Sequence, residues 1–101
     1  MPVYREIFKA LSDPTRLRIL AYLNNNREHP CKDVSQRFNL AQPTMCHHFR
    51  VLKEAGLIES RRRGTSVCYQ LRRQYLAEIG INLETMLRLQ PNEFAVHQLT
   101  T

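Results

Sequence analysis

Residues 40–71, LAQPTMCHHFRVLKEAGLIESRRRGTSVCYQL, constrain the fold more than any other stretch of this 101-residue chain. Met45, Phe49 and Leu52 recur at i, i+4 and i+7, and Val51 and Ala55 widen that stripe. The spacing predicts a helix over residues 42–55 with one apolar face. Its other face carries Gln42, Thr44, Cys46, His47, Arg50 and Lys53. Gly56 stands where a left-handed C-cap residue belongs. Beyond it, residues 57–62 and 66–71 can pair as strands around Arg63-Gly64-Thr65. In the second strand Val67, Tyr69 and Leu71 alternate with Cys68 and Gln70, a half-buried pattern.

The remaining segments read as helices. Tyr4, Ile7, Phe8 and Leu11 have helical spacing. Asp13 is a good N-cap and Pro14 suits the first position of a second helix, with Leu17, Leu20, Ala21 and Leu23 facing inward. Asn24-Asn25-Asn26 stops it. Pro30 opens a third helix over residues 31–38, and Asn39-Leu40-Ala41 is a short turn. A long last helix fits residues 73–89, with Tyr75, Ile79, Leu83 and Met86 as its stripe, Leu76 and Leu87 flanking it, and Pro91 ending it. The expected fold is mainly α with a β-hairpin wing: a winged helix-turn-helix of about five helices and two strands. One domain spans residues 1–101, with the helix-turn-helix at 31–55 and the wing at 57–71. The first helix and residues 73–90 keep apolar faces that so small a core does not cover, so a homodimer joined there is expected.

Charge follows the same layout. The net charge is +6. Residues 41–73 hold seven Lys/Arg against two Asp/Glu, whereas residues 74–101 hold one against three. Positive charge peaks where helix and hairpin lie, as phosphate neutralisation requires. Twelve of the fifteen cations are Arg, which suits bidentate phosphate or guanine contacts. Double-stranded operator DNA is therefore the expected partner. No apolar run approaches the roughly 20 residues of a membrane span. The first residues, MPVYREIFKAL, carry charge where a signal peptide has an apolar stretch, so a cytoplasmic protein is expected. An enzyme is not expected: there is no Gly-rich phosphate loop, and Cys46 and His47 point about 100° apart on a helix, a poor nucleophile–base geometry.

Two helices, a short turn and a hairpin dock on B-DNA with the second helix in the major groove. Gln42 can pair bidentately with adenine, and Thr44 and His47 can donate to bases or phosphates. Arg50 and Lys53 lie further along, toward phosphate. Arg61, Arg62 and Arg63 would hold the flanking backbone or enter the minor groove. A winged-helix protein-interaction module is the rival reading, and it predicts mixed charge on these faces.

FKALSDPTRLRIL (residues 8–20), LAQPTMCHHFRVLKEAGLIESRRRG (40–64) and VCYQL (67–71) resemble the ArsR/SmtB family of bacterial winged-helix repressors. The resemblance extends over residues 4–89. It implies a dimer joined by the first and last helices, and operator binding relieved by a metal, a metalloid or a thiol oxidant. It places the family's base-contacting residues on Gln42, Pro43, Cys46 and His47. The family usually has Ser as N-cap of the recognition helix and again inside it; here Ala41 and Cys46 stand there. Ala41 forgoes a cap worth about 1 kcal/mol.

The family's Cys-x-Cys-Asp metal motif is reduced here to His29-Pro30-Cys31-Lys32-Asp33. Residues 73–89 contain no Asp or His for its second metal site. No metal or other cofactor is therefore expected at either place, although a thiophilic site built from Cys31, Cys46 or Cys68 across subunits stays open, as does a constitutive repressor with no ligand site. The other reading is a thiol switch among Cys31, Cys46 and Cys68. Three cysteines with no secretory signal favour free thiols, and Cys31, at a helix N-terminus beside Lys32, is expected to have a lowered pKa.

Overall fold

The computed structural model describes residues 4–88. In chain order the elements are α1 (Tyr4–Leu11), α2 (Pro14–Tyr22), β1 (His29–Pro30), α3 (Cys31–Phe38), α4 (Gln42–Glu54), β2 (Ile58–Arg63), β3 (Ser66–Leu71), α5 (Arg73–Glu78) and α6 (Leu83–Arg88). This is a winged helix-turn-helix. α3 and α4 form the helix-turn-helix, and β2–β3 form the wing.

Local chemistry accounts for the joints. Asp13 Oδ2 accepts the backbone N–H of Arg16 at 3.0 Å, and Pro14 follows at the first helical position. Asn39 ends α3 in the left-handed region at φ 53°, letting Leu40 N–H reach back to Ser35 O. Ala41 precedes α4 with no side-chain cap, as its methyl dictates. α4 ends on Gly56, whose φ is +80°. There Leu57 N–H bonds Leu52 O and Gly56 N–H bonds Lys53 O, closing a Schellman motif.

One core joins these elements. Ile7, Leu20, Leu23, Val34, Met45, Phe49, Leu52, Leu57 and Ile58 are all essentially inaccessible. A fully buried side chain of this kind contributes about 1.5–3 kcal/mol of transfer free energy. The apolar stripe anticipated on α4 is the buried one: Met45, Phe49, Val51 and Leu52.

Two features depart from expectation. The helix anticipated over residues 73–89 is two helices. Gly80 at φ +83° ends α5, with Ile81 N–H on Leu76 O; Asn82 Oδ1 then caps α6 through the N–H of Thr85 at 2.9 Å. The break resets the helical phase. Leu76, Leu83 and Leu87 are buried, while Tyr75, Ile79 and Met86 pack only partly against the core. α6 lies against α2 of its own chain. The rest of the anticipated helix, its Pro91 stop and the tail lie outside the described residues.

The second departure is β1. His29 and Pro30 pair with Tyr69 and Cys68, so the sheet has three strands in the order β1-β3-β2. Two residues containing a proline leave no periodicity to read, and proline is admissible because this is an edge strand. The extra pairing also explains why Cys68, not its neighbours Val67 or Tyr69, is the buried residue in mid-strand. In the wing, register runs from Ile58↔Leu71 to Arg63↔Ser66, so the first strand lies one residue further along the chain than anticipated and the second lies where expected. The turn is Gly64-Thr65, with Gly64 at φ +62°, the placement that a two-residue hairpin loop favours.

Candidate nucleic-acid interface

α4 buries one face and exposes the other. Gln42, Pro43, Thr44, Cys46, His47, Arg50 and Lys53 are all exposed, while Met45, Phe49 and Leu52 anchor the helix from behind. Arg50 Nη2 lies 3.3 Å from His47 Nδ1. A guanidinium can only donate, so Nδ1 accepts and Nε2 keeps its hydrogen as an outward donor.

The wing is fixed to this helix. The Phe49 and Tyr69 rings stack with centroids 3.8 Å apart and planes 12° from parallel. Lys53 Nζ donates to Ser60 Oγ at 2.7 Å. Recognition helix and wing therefore present one connected surface, with the three wing arginines at its edge.

Those arginines are not equivalent. Successive strand residues alternate faces, so Arg61 and Arg63 share one side of the wing and Arg62 projects from the other. Arg61 lies 3.8 Å from Glu59. Arg63 forms a bidentate pair with Glu28, Nε to Oε1 at 2.9 Å and Nη2 to Oε2 at 2.6 Å. That pair holds the Glu28 carboxyl below the usual carboxylate range. Arg62 is exposed and has no partner among the described residues. Glu28 was not foreseen from sequence, because its partner lies 35 residues away.

Arg16 was also missed. It shares a helical face with Leu20 and Leu23 and is only 9% exposed. Its Nε and Nη2 donate to Ala10 O at 2.8 Å and Lys9 O at 3.0 Å, closing the end of α1. A charge at i, with leucines at i+4 and i+7, was the available signal, since a buried guanidinium must find acceptors.

The structure sets Cys46 beside Cys31, while Cys68 sits in β3, paired across from Pro30. Cys46 is exposed, Cys31 half-buried and Cys68 buried. Burial, more than any neighbouring group, pushes the Cys31 thiol up, opposite to the lowering anticipated from the helix terminus and Lys32. Among the described residues no three His, Cys, Asp or Glu side chains cluster as a metal site would require.

Comparison with known proteins places this surface. Residues 11–61 match the family described as a helix-turn-helix domain. The chain is 38% identical over 78 residues to the arsenical resistance operon repressor of Staphylococcus xylosus, covering 77% of this chain and 74% of that protein. The chain belongs to the ArsR/SmtB family of winged-helix transcriptional regulators. It is also 38% identical over 65 residues to the transcriptional repressor SdpR of Bacillus subtilis, covering 64% and 71% of the two chains. Among solved structures, HlyU from Vibrio cholerae superposes with a TM-score of 0.72 at 26% identity, over 88% of this chain and 92% of that one. A homodimeric winged helix-turn-helix DNA-binding domain from Mycobacterium bovis gives 0.68 at 25% identity, over 96% and 76%. This family member is a DNA-binding transcription regulator, and its family and fold are those of regulators, not enzymes. No helix among the described residues is long and apolar enough to cross a membrane.

Proposed function

We propose that the protein is a cytoplasmic repressor that binds operator DNA as a homodimer and is released by a chemical signal at its thiols. One observation carries the DNA-binding geometry: α4 exposes Gln42, Pro43, Thr44, Cys46, His47 and Arg50 on one side, beside a wing edged by Arg61, Arg62 and Arg63. Gln42, Pro43, Cys46 and His47 face the bases of the major groove, and Thr44 and Arg50 reach bases or phosphate. Arg61 and Arg62 follow the flanking backbone, and Arg63 joins them when it exchanges Glu28 for phosphate. The subunits meet through α1 and residues 73–90. Tyr4 and Phe8 on α1 are 54% and 66% exposed and leave an apolar patch that a second copy would cover.

A thiol oxidant is the favoured signal because Cys46 lies on the proposed DNA face with Cys31 behind it. A thiophilic metal is less favoured: two sulfurs fall short of the three or four ligands such ions take.

The test is binding of the full chain to random-sequence duplex DNA across a salt series. Tight binding at low salt that weakens steeply with added salt is expected, with Arg62→Ala reducing the slope by about one. A folded protein that fails to bind at low salt would make it a protein-interaction module instead.

A further inference from the structure

Cys31 is the first residue of α3 and Cys46 the fifth of α4. The turn between the helices sets the two thiols beside one another, close enough for each to act on the other's charge. Ser35, one helical turn beyond Cys31, faces the same sulfur. Its Oγ is buried and makes no hydrogen bond among the described residues. Tyr69 stands beside both sulfurs, its own position fixed by the stack on Phe49. One thiol is open to solvent and the second is half-buried behind it. That is the arrangement of a thiol attacked first and a thiol that resolves the product.

We propose that Cys31 and Cys46 are a dithiol that closes to an intrachain disulfide when a hydroperoxide oxidises it, cross-linking the two helices of the helix-turn-helix. This rests on the thiol-signal reading above and names its chemistry. The Cys46 thiolate attacks one peroxide oxygen. The O–O bond breaks, the alcohol (water, for hydrogen peroxide) leaves with a proton, and Cys46 becomes a sulfenic acid. The Cys31 thiolate then attacks Cys46 Sγ. The S–O bond breaks and hydroxide leaves, taking up a proton as water. Together the thiols give up two electrons and two protons, and the peroxide is reduced to alcohol and water. Ser35 can donate its otherwise unused hydroxyl to the Cys31 thiolate as it forms.

The disulfide imposes its own geometry, with Cα atoms about 4.4–6.8 Å apart and one narrow range of dihedral angle. It therefore turns Cys46 Sγ from the exposed face of α4 toward α3 and sets the angle between the two helices. Because the same face holds Gln42 and His47, binding to DNA weakens.

The experiment treats the full chain with hydrogen peroxide, alkylates the remaining thiols and maps the digest by mass. The expected product joins the Cys31 and Cys46 peptides, two hydrogens lighter than their sum, with Cys68 alkylated. Cys46→Ser abolishes the link and leaves Cys31 reduced at the same dose. Affinity for a random-sequence duplex falls at least about tenfold on oxidation and returns with a dithiol reductant. Cys46 recovered as a sulfinic acid, or joined to a second chain, would overturn the proposal; a loss of affinity in that case would leave the broader thiol-signal reading standing. A Cys31–Cys46 link with unchanged affinity would uphold the cross-link and overturn the signal.

Discussion

Arg16 Nη1 lies 3.3 Å from His48 Nδ1, linking the end of α1 to the recognition helix. Arginine has no acceptor, so Nδ1 of His48 accepts and its hydrogen sits on Nε2. The same guanidinium holds the carbonyls of Lys9 and Ala10. The helix proposed for subunit contact and the helix proposed for base contact thus share one buried charge.

This contact has a pH signature. Burial holds His48 below the ordinary histidine value, with Arg16 and His47 adding to the effect and Asp13 opposing it. Burial also lowers His29, whose Nε2 lies 2.8 Å from Asn25 Oδ1. Below the ordinary value of about 6.5 the unfolded chain takes up protons that the folded chain resists. Stability from both groups is therefore complete above that pH and declines as pH falls through the lowered folded values. Thermal melts should show the midpoint dropping by a few degrees between about pH 7 and pH 5. His48→Gln should flatten the decline. A midpoint that rises on acidification would contradict the assignment.

Glu28 holds Arg63 in a bidentate pair, so in the proposed complex it would compete with phosphate for that guanidinium. Replacing it by Gln removes the bidentate anion and one negative charge from beside the wing. Glu28→Gln should bind a DNA duplex several-fold more tightly at low salt, and its salt slope should steepen by about one. Fluorescence anisotropy across a salt series checks both. An unchanged slope would mean that Arg63 does not reach phosphate.

Gly56 admits no side chain without strain. Its φ is +80°, and a Cβ there would lie 3.0 Å from Tyr75 Cε2. Gly56→Ala should destabilise the fold by about 1–2 kcal/mol from the left-handed conformation alone, and by more if the Tyr75 ring must move. Urea unfolding gives the value directly; a variant as stable as the parent would show that the α4–wing joint relaxes freely.

The exposed rings of Tyr4 and Phe8, 6.3 Å apart between centroids, are the most accessible large apolar groups among the described residues. Phe8→Glu places a charge in the proposed subunit contact while sparing the buried Ile7 and Ala10. Sedimentation velocity should find the variant monomeric at concentrations where the parent is dimeric. A variant that stays dimeric would move the interface away from α1.

Local chemistry made much of this fold legible. The i, i+4, i+7 pattern of Met45, Phe49 and Leu52, the glycine after α4 and the alternation around Gly64 each act over a few residues, so α4 and the wing stood out in the chain. The last helix was misread because Gly80 lies inside an otherwise continuous apolar periodicity. Such a glycine is tolerable in a helix, and Asn82 became decisive only once α5 had ended. β1 exists only because β3 lies beside it. Among the site residues, exposure of the α4 set follows from helical phase. The meeting of Cys31 with Cys46 and the clamp of Glu28 on Arg63 depend on how helices and loops pack, which no local pattern encodes, whereas the burial of Arg16 had a local signal in its phase with Leu20 and Leu23. The thiol of Cys31 was misjudged for the same reason: the favourable helix terminus was visible, and the burial that outweighs it was not.

β3 is the middle strand of the sheet, hydrogen-bonded to the wing strand on one side and to His29–Pro30 on the other. Cys31 follows Pro30 directly. The wing and the first residue of α3 are consequently two ends of a single lever with β3 as its fulcrum. If the proposed disulfide forms, a pull on Cys31 from α4 would reach the arginine edge as well as the recognition helix, so one bond between two sulfurs would misalign both halves of the proposed grip on a duplex.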